Sequence, residues 1–92
     1  MNVTKQIAEL SIEVQNLLNA LHAEQPDNET FDQEGMLNGS QFIQEYLDQG
    51  EFGVAIEHLL YMIYESDIIY PNELIEEVKE ITSKYKIKNP YL

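Results

Sequence analysis

Hydrophobic residues return at intervals of three and four along most of the chain, the spacing that lines one side of an α-helix. Ile7, Leu10, Val14, Leu17, Leu18 and Leu21 form the first such stripe, which predicts a helix over about 4–23 capped by Asn2 or Thr4. The stretch 24–39 then breaks the pattern with Pro26, Gly35, an Asn38-Gly39 pair and five carboxylates, so it reads as one long acidic loop. Loops of this length are mobile or functional, and composition does not separate the two. Ser40 is the expected cap of a short second helix that buries Phe42, Ile43, Tyr46 and Leu47 and stops at Gly50, a residue suited to the left-handed turn after a helix. A third helix starts almost at once, with Phe52, Ala55, Ile56, Leu59, Leu60 and Ile63 at the full set of helical offsets. The stretch 67–71 interrupts it, because the residue before Pro71 avoids the helical region and proline itself suits a first turn. The fourth helix buries Leu74, Val78, Ile81 and Tyr85. It runs from Glu73, Glu76 and Glu77 to Lys84, Lys86 and Lys88, the charge order that a helix dipole favours.

The pattern therefore predicts an all-α protein, a compact bundle of about four helices in a single domain spanning 1–92. Only Ile68-Ile69-Tyr70 looks like strand, and three residues do not make a sheet. At 43% hydrophobic residues, a chain with this periodicity has the means to form a core rather than stay disordered. No segment is apolar for the roughly 18–20 residues that cross a bilayer, and the opening MNVTKQIAEL lacks the basic and apolar regions of a secretion signal. With no cysteine to form disulfides, a cytoplasmic, membrane-free protein is expected.

Charge changes the picture more than any other property. Seventeen acidic residues stand against five lysines and no arginine, a formal net charge of −12, and no lysine lies between Lys5 and Lys79. Nothing in that span replaces phosphate counterions, so direct binding to nucleic acid is disfavoured. Acidity keeps a protein soluble, and it also accelerates encounter with a basic partner.

Candidate chemistry is sparse. His22 and His58 form no compact ligand motif with a neighbouring acid, and a zinc site needs both to converge with carboxylates in space. A calcium loop centred on Gly39 places Glu34 first, Met36 third, Asn38 fifth and Glu45 twelfth, and methionine does not ligate calcium. No glycine-rich phosphate cradle or activated nucleophile is present, so no catalytic residue, metal or cofactor is expected, and the chain reads as a binding protein rather than an enzyme. The surface expected to bind is the outer stripe of the third helix, with Glu57, Tyr61, Tyr64 and Glu65 followed by Asp67. Tyrosine rings supply contact area at small entropic cost, and carboxylates select lysine and arginine. Asp27, Glu29 and Asp32 in the acidic loop form a second patch. The alternative for the third helix is burial nearly all round, with its tyrosines packed on the first or fourth helix.

The run Gly50-Glu51-Phe52-Gly53-Val54-Ala55-Ile56-Glu57, followed by Leu59, Leu60, Glu65 and Asp67, resembles the central motif of the MafI family of bacterial immunity proteins. The resemblance covers roughly 48–92 and does not extend to the first helix or the acidic loop. It implies a small helical antitoxin that binds a cognate toxin domain one-to-one and blocks it in the producing cell. A nuclease, whose phosphate-binding groove is basic, suits the charge best. Inhibition at the active site and at a neighbouring exosite both fit this reading. The alternative function is an acidic helical adaptor or regulatory subunit for a basic DNA-binding or signalling protein.

Overall fold

The structure is a computed structural model that describes residues 2–66 and 68–91. Four α-helices follow one another: α1 (Val3–Glu24), α2 (Gly39–Asp48), α3 (Phe52–Tyr64) and α4 (Asn72–Lys84), and no strand occurs among the described residues. The all-α bundle expected from the hydrophobic periodicity is therefore the fold. Its radius of gyration, 12.6 Å, is close to the roughly 12 Å of a well-packed chain of this length.

The start of α1 and both ends of α2 have identifiable causes. The Asn2 side chain accepts a hydrogen bond from the Thr4 amide at 2.9 Å, so Asn2 rather than Thr4 is the cap of α1. Helix α2 starts one residue before the expected cap: Asn38 precedes it without a side-chain cap, and Ser40 lies inside the first turn. The Ser40 amide is satisfied from elsewhere, by Gln15 Oε1 of α1 at 3.0 Å. At its other end Gly50 takes a φ of 75°, and the amides of Gly50 and Glu51 close onto the carbonyls of Leu47 and Tyr46. This Schellman turn reverses the chain in three residues, so α3 packs directly against α2.

The core joins all four helices. Ile7, Leu10, Val14 and Leu18 of α1 meet Ile43 and Leu47 of α2, the α3 stripe from Ala55 to Ile63, and Leu74, Val78 and Ile81 of α4. Helices α2 and α3 approach most closely and α1 lies against both, whereas α4 reaches the core mainly through its side chains. Gly39 permits the closest approach, because a Cβ there would run into the Met62 side chain. That contact explains why Met62, off the main stripe, is fully buried. Several residues expected inside are only half-buried: Leu17, Leu21, Phe42, Tyr46 and Phe52. Tyr85 is exposed, its ring packed edge-to-face on Phe52 at the margin of the bundle.

The acidic connection is folded onto the bundle. Asn28 caps a 3₁₀ turn, Glu29–Asp32, through the Thr30 amide at 2.9 Å. Phe31 lies edge-on to His22, and Met36 enters the core with no exposed surface. Gly35 turns the chain with a φ of 79° where a Cβ would strike the His58 ring, so both conformation and space demand glycine there.

Candidate partner-binding surface

The outer side of α3 carries Glu57, Tyr61, Tyr64 and Glu65, as the helical spacing requires, with Glu57 and Glu65 exposed and both tyrosines half-buried. Asp67, the fifth residue of this patch, lies outside the described residues. Both tyrosines pack in part against the buried core. Two non-helical segments flank the stripe, one on each side.

On the first side the acidic connection docks through backbone carbonyls. Tyr61 Oη donates to the Glu34 carbonyl at 2.8 Å, Gln33 Nε2 donates to the Glu65 carbonyl at 2.7 Å, and His58 Nε2 lies 3.0 Å from the Gly35 carbonyl. His58 is further held among the rings of Phe42, Tyr46 and Tyr61. These contacts join the two patches that the sequence left separate. Asp27, Asn28, Glu29, Thr30, Gln33 and Glu65 now line one open recess of about 630 Å³. Asp32 is exposed on the 3₁₀ turn beside it and does not line the recess.

On the second side the segment after α4 crosses α3. The Tyr91 ring stacks on Tyr64 with centroids 5.1 Å apart and planes 11° from parallel, close to the Glu65 carboxylate. Burial raises the Tyr91 pKa above its ordinary value, and the Glu65 carboxylate adds to the effect. Tyr61 shifts the same way, first through burial and then through the charges of Glu65 and Glu34. Glu65 therefore stands at the junction of the loop, the helix and the tail.

Few of the carboxylates are neutralised within the molecule. Among the described residues the ion pair is Lys79 with Glu76, at 4.0 Å on the surface of α4, so no cation stands at pairing distance from Asp27, Glu29 or Glu65. A recess of this charge suits an ammonium or guanidinium group supplied from outside. Among the described residues no three His, Asp or Glu side chains converge to hold a metal ion. His22 packs edge-on to Phe31, and His58 packs edge-on to Phe42. The calcium-loop alignment fails in space as well, since Gly39 opens α2 and Met36 is in the core.

Glu34, Gln33, Asn28 and Tyr91 belong to this surface and were missed by the sequence reading. Their partners are distant in the chain, and none sits in a periodic pattern. The protein matches no family model, no curated protein and no solved structure.

Proposed function

We propose that this protein is an immunity protein of the MafI type, which binds a cognate bacterial toxin one-to-one and covers its basic surface. The observation that carries this reading is the recess in which Asp27 and Glu29 from the loop meet Glu65 at the end of α3, with no lysine among the described residues paired to them. A nuclease presents lysine and arginine in a groove shaped for phosphates. A carboxylate surface that occupies the groove excludes the nucleic acid and satisfies the same cations. The aromatic stripe beside the recess supplies the apolar contact that charge alone does not, because exposed ion pairs contribute little affinity.

The motif glycines fit the same reading. Gly50 is needed for the left-handed turn, but a Cβ on Gly53 would meet nothing within 4 Å. Internal packing therefore does not account for glycine at 53. An approaching partner backbone does, next to exposed Val54 and Glu57.

Calorimetric titration with a candidate nuclease toxin domain tests the proposal. One-to-one binding, loss of the toxin's nuclease activity and marked weakening by Glu65→Lys are expected. Absence of binding, or binding that leaves nuclease activity intact, would return the protein to the class of acidic adaptors.

A further inference from the structure

Beyond α4 the chain turns back over the outer face of α3. Lys86 adopts a φ of 55° and Ile87 N–H closes on the Thr82 carbonyl at 2.8 Å, so the turn is a Schellman motif with lysine where glycine is favoured. Residues 87–91 then run to Tyr64, where Tyr91 stacks close to Glu65. The seat is a poor one. Tyr64 Oη and Asn89 Nδ2 are buried without hydrogen-bond partners, and Glu57, Leu60, Lys88, Pro90 and Tyr91 surround a gap of about 360 Å³. Buried polar groups left unpaired favour the detached state of a segment.

The tail is chemically unlike the rest of the molecule. Four of the five lysines lie at or after 79, Lys86 and Lys88 are in the tail itself, and Lys88 lies beside Glu57 of α3. Lys88 and Glu57 line the same gap without pairing. A basic, tyrosine-bearing segment thus lies on the acidic, tyrosine-bearing face assigned above to the partner.

We propose that the face of α3 beneath the tail is a docking groove for an extended partner segment that carries lysine or arginine close to an aromatic ring, and that residues 86–91 occupy it in cis until that segment displaces them. The role of the partner as toxin rests on the preceding section; the groove itself does not. The tail holds its place by effective concentration, on the order of millimolar for a short tether, which a tightly binding partner overcomes.

The test uses the full chain and a fluorescein-labelled peptide with the sequence of residues 86–91. Wild-type protein should take up this peptide weakly, because its own tail competes. Tyr91→Ala removes the stacked ring, and Lys88→Glu, at an exposed position outside the ring contact, repels Glu57. Either change should tighten peptide binding at least tenfold, with amide shifts confined to α3, and Glu65→Gln added to Tyr91→Ala should reverse the gain. Equal peptide affinity in wild type and both variants overturns the proposal, as does a gain that survives Glu65→Gln. With the toxin domain itself, equal association rates for wild type and Tyr91→Ala would remove the cis competition while leaving the immunity reading intact. Peptide binding as expected, with no toxin binding, would keep the groove and remove the toxin.

Discussion

Tyr70 shows how one side chain ties stability to pH. It is 6% exposed, its hydroxyl lies 2.7 Å from Ser66 Oγ, and a weaker bond of 3.4 Å runs to the Met62 carbonyl. Burial raises its pKa above 10.0, partly offset by the Ser66 bond. The charged form is the phenolate, so a raised folded-state pKa means that the unfolded chain ionises first. The resulting stability is complete below pH 10 and declines as pH rises towards the folded value. Urea unfolding midpoints should hold steady up to about pH 9 and then fall, and Tyr70→Phe should flatten the fall. A variant that falls as steeply as wild type would place the alkaline transition elsewhere, with Tyr61 and Tyr91 the next groups to change. Gly53 makes the opposite kind of prediction. With open space around its missing Cβ, Gly53→Ala should stabilise the helix by roughly 0.4–1 kcal/mol through the unfolded state. If a partner approaches closely there, the same variant binds that partner less well. Thermal unfolding and toxin titration of one protein sample read both effects.

Among the elements, α1 does more than supply an apolar stripe. Gln15, 7% exposed, donates to the Met36 carbonyl at 3.2 Å and to Asn19 Oδ1 at 3.1 Å, and its Oε1 accepts from the Ser40 amide. One side chain therefore fastens the acidic loop and replaces the cap that α2 lacks. Gln15→Ala leaves a buried carbonyl and a helix-start amide unpaired, a loss of about 2–3 kcal/mol. Hydrogen exchange should accelerate around residues 35–40 while α4 amides keep their protection. Uniform acceleration across all four helices would mean that the loop and α2 do not depend on Gln15 in particular. The helices themselves were legible in the sequence, since Leu10, Val14, Leu59 and Val78 repeat at the period their own backbone imposes. The Ser40 cap was misread because a glutamine 25 residues earlier makes the capping bond.

At the scale of the whole molecule, charge dominates. A net charge of −12 with one surface ion pair among the described residues means that carboxylates repel one another across the bundle. The recess concentrates that field beside α3, where Asp27 and Glu29 face Glu65. If the proposed toxin is the partner, Asp27→Asn and Glu29→Gln should slow its association several-fold at low salt and much less in 0.5 M NaCl, because exposed charges steer encounter over a screened distance. Stopped-flow association at several salt concentrations measures this. A loss confined to the dissociation rate would mean that these acids hold the complex rather than guide it.

Number and type of helices, the acid excess and the outward position of Glu57 and Glu65 followed from the sequence alone. Helical periodicity, propensity and net charge depend on residues a few positions apart or on none in particular. The surface depended on tertiary structure. Tyr61 meets Glu34 across 27 residues, Gln15 meets Met36 across 21, and Tyr64 meets Tyr91 from beyond α4. Such pairs have no spacing rule, because they form only when packed helices bring unrelated segments to one place. An acidic loop that composition left free to be mobile is instead anchored by Met36 in the core. Two patches written far apart in the chain become one recess because three hydrogen-bonding contacts fold that loop onto α3.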